Sequence, residues 1–411
     1  MRLVDALKDK PVLYVARDIE RALGLSLPTD GFHIISNSSP YATTLVENIP
    51  DTITIVPRGI EDPLDTTDLL ESVTAEKSIN KQKNPHIVVF KNTLHIERIT
   101  KAKKWNLINP PAALAREVEE KISQVRWLEE DASLLAEHTI AILKHVHFKN
   151  KPLVVQFNHS HTGEGTFLIR SESDLKKIAE KFPERDVRVT TFIEGPVFTL
   201  NAVVAKDTDE TFLGNTSYQI TGINPFTDLE FSTIGNDWSL PEKVLSSKQQ
   251  QAIHDMARKV GSRLKNSGWK GLFGIDVIYD PAHDKMHLIE INSRQPASAV
   301  FESNLQRRVG NDMTIFEAHL CALLELPLKG AHIQKISGGS QIVQRVTQSG
   351  TKTVARDSIH KLRERGYYVA EYENTELNKE LVRVQTAKNI MEKHNQLSHT
   401  GKEIRDIIHT A

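Results

Sequence analysis

The chain has a single cysteine, Cys321, in 411 residues. One thiol excludes an intrachain disulfide framework and a zinc site built from several cysteines, and it fits a reducing, cytoplasmic setting. Net charge is missing as well, since 52 Lys and Arg stand against 53 Asp and Glu. Without a net field nothing draws the chain to nucleic acid, an acidic membrane or a polyanionic substrate, so a charged ligand has to be met by a local site. No stretch approaches the roughly 18 consecutive apolar residues of a membrane span. The opening run Met1-Arg2-Leu3-Val4-Asp5-Ala6-Leu7-Lys8 interrupts its apolar residues with charges. The expectation is a protein neither exported by an ordinary signal nor anchored in a bilayer. Internal repeats and low-complexity tracts are absent, and no G-x-G-x-x-G follows the first apolar run, which removes the dinucleotide fingerprint.

At roughly 100–200 residues per domain, the length implies two to four packed units. Residues 1–125 alternate short apolar runs, such as Val12-Leu13-Tyr14-Val15, Phe32-His33-Ile34-Ile35 and Ile87-Val88-Val89-Phe90, with helix-length polar stretches. Buried runs with that spacing predict parallel strands of an α/β lobe. From Pro110-Pro111 the pattern predicts one long amphipathic helix through Trp127. A second unit, residues 126–330, opens with strands at 153–157 and 167–170, the helix Ser173 to Lys181 and a strand from Val187 to Ile193. Residues 331–411 mix one β-rich run with two polar helices and are expected to form a small α+β lobe of their own.

The most informative segment is Gly271-Leu272-Phe273-Gly274-Ile275-Asp276-Val277-Ile278-Tyr279-Asp280, which returns through Met286-His287-Leu288-Ile289-Glu290-Ile291-Asn292. If Pro281 to Lys285 close the hairpin, Asp276 faces Glu290 and Gly274 faces Asn292, all on one face. Directly opposed residues have Cβ atoms about 5 Å apart, and two like charges there are destabilising unless a cation lies between them. Two carboxylates and an amide oxygen are hard ligands suited to Mg²⁺ or Mn²⁺. Arg294, two residues on, adds a cation that would hold anionic oxygens against the metal. Phe273, Ile275, Val277, Tyr279, Ile289 and Ile291 are expected to anchor the other face on a core.

Gly274-Ile275-Asp276 followed by Leu288-Ile289-Glu290-Ile291-Asn292-Ser293-Arg294 resembles the metal-binding signature of ATP-grasp enzymes, in particular the carboxylate-amine ligase and biotin carboxylase branch. The resemblance implies an α/β fold with an α+β grasp domain, preceded by a pre-ATP-grasp lobe and followed by a small C-terminal lobe. It implies that Asp276, Glu290 and Asn292 hold Mg²⁺ (or Mn²⁺) on ATP, and that Arg294 steadies the reacting acyl group. The segment 158–166, with Ser160, Thr162, Gly163 and Gly165, looks like the phosphate-covering loop, and small glycine-spaced loops do let backbone N–H groups converge on phosphate. Val189 to Leu200 looks like the hinge strand, which would give adenine contacts to Thr191 and Ile193 and a ribose contact to Glu194. Lys121 matches the first phosphate-gripping lysine. The second is replaced by Gln156, and Thr190 stands where many relatives carry an acid. Ser298, Glu302 and Ser303 could meet a substrate.

The activity so implied is ATP-dependent joining of a small-molecule carboxylate to an amine, such as an amino acid or peptide, through an acyl-phosphate with release of ADP and phosphate. A homodimer is compatible with it. The alternatives are a biotin-carboxylase-like reaction, for which nothing points to a biotinyl partner, and a non-catalytic ATP-binding regulatory protein of the same fold. A pure binder has no evident use for the opposed acids.

Overall fold

The computed structural model describes residues 3–57, 63–158, 165–348, 351, 353–372 and 374–409. The first lobe is a parallel sheet of β1 (Val12–Ala16), β2 (Phe32–Asn37), β3 (Ile53–Val56), β4 (His86–Val89) and β5 (Asn106–Leu107) in the order β3-β2-β1-β4-β5. Leu13, Val15, Ile35 and Val89 face one core, while Tyr14, Phe32, Ile34 and Val88 face another. A sheet buried on both sides accounts for the unbroken apolar runs in the sequence.

A small antiparallel sheet follows, with β6 (His138–Ile142), β7 (Leu153–Phe157), β8 (Thr166–Ile169) and β9 (Asp186–Thr191) in the order β6-β9-β7-β8. Val155, Phe157, Ile169 and Val187 bury one face of it with Leu175 of the helix Glu172–Lys181. The residues that alternate with them, Gln156 and Arg188, point the other way and are paired across β7 and β9.

The large sheet contains β10 (Val197–Val204), β11 (Thr211–Leu213), β12 (Ser217–Thr221), β13 (Thr233–Asp237), β14 (Gly271–Asp280), β15 (Lys285–Asn292), β16 (Ser340–Arg345), β17 (Tyr368–Glu371) and β18 (Glu380–Thr386). Its order is β15-β14-β10-β12-β13-β16-β18-β17, with β11 beside β10. One face of β10 and β14 (Leu200, Ala202, Phe273, Ile275) packs on the helix Ser247–Asn266 through Ile253, Ala257, Val260 and Leu264. The other face, through Val203 and Leu272, packs on the helix Ile315–Leu323, whose Phe316 also reaches Tyr14 and Phe32 of the first lobe.

Two expectations are corrected. The C-terminal strands do not stand apart, because β16 pairs with β13 and carries the large sheet on through β18 and β17. The helix predicted from Pro110 to Trp127 is two helices, Ala112–Glu119 and Lys121–Leu128, divided at Glu120, which has an extended conformation at φ −70° and ψ 134°. Asn158 stabilises the break from a distance, donating from Nδ2 to Glu120 Oε2 at 2.7 Å and accepting from Ile122 N at 2.8 Å. That amide satisfies one of the donors a helix start leaves open.

The small and large sheets meet where β9 runs into β10. A Cβ on Gly195 would stand 2.0 Å from Tyr279 O, and Tyr279 N donates to Pro196 O at 3.0 Å. Only glycine lets the connection lie this close to β14. Gly195→Ala is expected to cost about 2–4 kcal/mol, a backbone overlap at the upper end of single-substitution effects. Denaturant unfolding measures it, and an unchanged midpoint would show that this junction is not close-packed.

Candidate active site

The hairpin β14–β15 pairs Gly274 with Asn292 and Asp276 with Glu290, the register expected from the sequence. It reaches that register differently. Four residues, 281–284, separate the strands, so Asp280 faces Lys285, and a bulge between the pairs Asp276/Glu290 and Val277/Leu288 restores the offset. The extra residue is Ile289. Leu288 is therefore the core residue, at 2% exposed, and Ile289 is only half-buried, a correction to the apolar face predicted above. A bulge leaves its extra residue out of the ladder, and here Ile289 O accepts from Arg188 Nη2 at 3.0 Å.

Asp276 is buried and accepts from Thr199 Oγ1 at 2.7 Å and Asn292 Nδ2 at 3.1 Å. Thr199 lies opposite Asp276 on β10, and Gln219 Nε2 donates to its hydroxyl at 3.1 Å. Burial, reinforced by Glu290, pushes the Asp276 carboxyl up to about 6. Glu290 moves the other way. Burial raises it, but Lys121 and Arg294 outweigh that and hold it below the usual carboxylate range. Lys121 Nζ lies 2.9 Å from Glu290 Oε1, with the lysine side chain 8% exposed and the glutamate 34%. The break at Glu120 is what brings Lys121 here, as the first residue of its helix. Burial pulls the ammonium down despite Glu290.

Arg294 donates from Nη1 to Glu119 Oε1, and Lys91 Nζ reaches Glu119 Oε2 at 2.7 Å. Glu119 thus shares its charge between two cations, which outweigh burial and keep it ionised. Gln156 does not present its oxygen to the cleft. Its Oε1 accepts from Arg188 Nε at 3.0 Å and Nη2 at 2.8 Å. Ser160, Thr162 and Gly163 lie outside the described residues. Gly165 O accepts from Phe157 N at 2.9 Å. β9 ends at Thr191, Ile193 is half-buried and Glu194 exposed, and the main-chain N–H and C=O of Ile193 have no partner among the described residues. Glu302, Ser298 and Ser303 are turned inward. Glu302 is fully buried, takes hydrogen bonds from Asn201 Nδ2 at 2.6 Å and from the main chain and side chain of Asn215, and is pushed by burial to about 7. These residues tie β10 to the helix Ala299–Val309 rather than lining the cleft.

Sequence reasoning missed Thr199, Gln219, Glu119 and Arg188. Nothing in their local pattern marks them, because each is brought to the hairpin by a neighbouring strand or helix. It also missed a pocket at the carboxyl ends of β1 and β2, lined by Arg17, Glu20, Ser39, Tyr41, Tyr372 and Asn374 among others. Arg17 Nε, Glu20 Oε1 and Tyr41 OH are buried there without a hydrogen bond. Gln295 Nε2, one residue after Arg294, donates to Arg21 O at 2.7 Å and so ties the segment after the hairpin to the one after β1.

Among the described residues no cluster of three or more His, Cys, Asp or Glu could hold a metal by itself. Asp276 and Glu290 supply two carboxylates and Asn292 an amide, a set that needs exogenous oxygens, such as phosphate, to complete a Mg²⁺ shell. No helix among these residues is long and apolar enough to cross a membrane.

Residues 118–298 match the family model of the ATP-grasp domain. No curated protein matches the sequence. Among solved structures, N5-carboxyaminoimidazole synthetase from Staphylococcus aureus, complexed with ADP, superposes with a TM-score of 0.65 at 10% identity over 97% of both chains. The N5-carboxyaminoimidazole synthase of Aspergillus clavatus, in complex with ADP and its aminoimidazole ribonucleotide, gives 0.65 at 15% identity over 98% of this chain and 99% of that one. L-amino acid ligase from Bacillus licheniformis gives 0.64 at 14% identity over 97% of both. Residues 118–298 thus match the ATP-grasp domain, and nearly the whole chain shares the fold of the N5-carboxyaminoimidazole synthetase and L-amino acid ligase structures.

Proposed function

We propose that this chain is an ATP-dependent carboxylate-amine ligase. The observation that carries the reading is the directly opposed pair of the buried Asp276 and the half-buried Glu290, flanked by Asn292, Lys121 and Arg294. Two acids so placed raise one another's cost of ionisation, and a divalent cation removes that cost. Asp276, Glu290 and Asn292 would hold Mg²⁺, which neutralises charge on the transferred phosphoryl group when bound. The three neighbours are named as a synthetase, a synthase and a ligase, two of them bound to ADP, which supports the nucleotide and the reaction type.

In this reading a substrate carboxylate oxygen attacks the γ-phosphorus, the bond to the β-phosphate oxygen breaks and ADP leaves. An amine nitrogen then attacks the acyl carbon, loses a proton, and phosphate departs. Lys121 grips phosphate oxygens, and Arg294, held in place by Glu119, stabilises the oxyanion that develops at the acyl carbon. The free main-chain groups at Ile193, with Thr191 beside them, pair with the adenine edge, and Glu194 lies at the ribose end. The pocket at β1 and β2 takes a reacting substrate. It lies at the carboxyl ends of β1 and β2, the end of the strands at which open α/β sheets bind ligands. Its polar groups of both kinds, the Arg17 guanidinium with a buried Nε that makes no hydrogen bond and the Glu20 carboxyl beside Arg21, suit a molecule carrying both a carboxylate and an amine.

Release of ADP and phosphate with Mg²⁺, scanned over amino acids, dipeptides, simple amines and bicarbonate, tests the reaction. Tight ATP binding with no turnover on any pair would favour the non-catalytic alternative. Arg17→Gln is expected to raise the KM of the amino-acid-like substrate at least tenfold with ADP affinity unchanged, and an unaltered KM would remove the pocket from the account.

Asp276 holds its proton more tightly when folded, at about 6 against an ordinary 3.8. Its ionisation therefore costs stability as pH rises from 4 through 6, and the full cost is present above that. Asp276→Asn should leave the melting temperature at pH 8 equal or higher while lowering turnover by about 10³-fold or more. A variant that is both less stable and still active would contradict the assignment. Because a metal must displace that proton, Mn²⁺ affinity in the presence of ADP should fall about tenfold per pH unit below pH 6. Titration followed by Mn²⁺ paramagnetic resonance gives the profile, and a flat one from pH 5 to 7 would place the metal elsewhere.

A further inference from the structure

Arg188 is 2% exposed, and its hydrogen bonds among the described residues all go to neutral oxygens: Gln156 Oε1, Gln124 Oε1 at 3.1 Å and Ile289 O at 3.0 Å. A buried guanidinium is costly unless neutralised. These three acceptors fix its plane without cancelling its charge. The acid that acts on it is Glu290, which already pairs with Lys121, so two buried cations share one carboxylate at the wall of the cleft. Burial accordingly lowers the guanidinium to about 10. A purely structural pin between β7, the helix Lys121–Leu128 and the bulge would not need a charge.

The effect on Gln156 is specific. Gln156 and Arg188 are direct neighbours across β7 and β9. An amide whose oxygen is held by two guanidinium N–H groups has its orientation settled, with its two N–H donors directed away. Gln156 Nε2 has no partner among the described residues and is not among the sealed, unpartnered atoms. It lies on β7 two residues before Asn158, whose side chain holds the start of the helix that carries Lys121.

We propose that Arg188 is a positioning residue for nucleotide phosphate: it turns the Gln156 amide so that its N–H donors face the phosphates, and it supplies from the neighbouring strand the positive charge that glutamine lacks. The inference rests on the ATP reading above and adds to it a two-residue phosphate subsite in which the charge and the donor are on different strands. A nucleoside diphosphate is the ligand it recognises, and adenosine, without phosphate, does not engage it.

Calorimetric titration of the full chain with Mg²⁺-ADP and with adenosine tests this, using Arg188→Met, Gln156→Met and the exchange Gln156→Lys with Arg188→Met. Each single variant is expected to weaken ADP tenfold or more while leaving adenosine within twofold. The exchange, which puts a cation directly at position 156, should restore ADP to within about threefold of the parent. ADP binding within twofold of the parent in both single variants would overturn the proposal, as would equal losses for ADP and adenosine, or an exchange variant no better than Arg188→Met. If Arg188→Met does not fold, Gln156→Met, which keeps the guanidinium, carries the same expectation and the same refutation. A parent chain that binds no ADP overturns the ligase reading itself, whereas a parent that binds ADP with insensitive variants overturns only this subsite.

Discussion

The architecture depends on one electrostatic constraint: two carboxylates face each other on adjacent strands of a sheet, partly withdrawn from the water that would screen them. Asp276 is buried, Glu290 keeps a third of its side-chain exposure, and the hairpin register fixes them opposite one another. Such a pair cannot be left alone. The protein answers with Lys121 against Glu290 and with hydroxyl and amide donors against Asp276, which leaves one acid ionised and the other close to neutral pH in its titration. The arrangement is stable enough to fold and still short of positive charge at Asp276, which is the state a metal-nucleotide site needs before its ligand arrives.

Several irregularities of the backbone serve that pair. The bulge at Ile289 corrects for a short turn, brings Glu290 opposite Asp276 and frees a carbonyl for Arg188. The break at Glu120 turns Lys121 from a surface position into the cleft. The close approach at Gly195 ties the segment after β9 to β14, which carries Asp276. Regular elements supply the scaffold, and departures from regularity aim the side chains.

What could be read from the sequence follows the same division. The parallel strands of the first lobe were legible because burial on both faces leaves unbroken apolar runs, and the facing of Asp276 and Glu290 was legible because strand side chains alternate with period two. The bulge was not, since a five-residue turn gives the same pairing at the acids and differs in the residues before them, where Met286 and Leu288 enter the core in place of Ile289. The helix break was hidden because the residue that stabilises it, Asn158, is 36 positions from Ile122. Arg188 reads as an ordinary charged residue in a strand until Gln156, Gln124 and Ile289 are placed around it. The continuation of the large sheet into the C-terminal strands was hidden for a similar reason, since β13 and β16 are joined through more than one hundred intervening residues that periodicity does not connect.

The central claim is that the Asp276–Glu290 pair is where a divalent ion meets ATP. Anomalous diffraction from crystals of the chain grown with Mn²⁺ and ADP tests it most directly. The account predicts a manganese peak between the two carboxylates, at about 2.1 Å from their oxygens, with Lys121 moved from Glu290 to a phosphate oxygen. A manganese peak elsewhere, with the Lys121–Glu290 ion pair intact beside bound ADP, would contradict it.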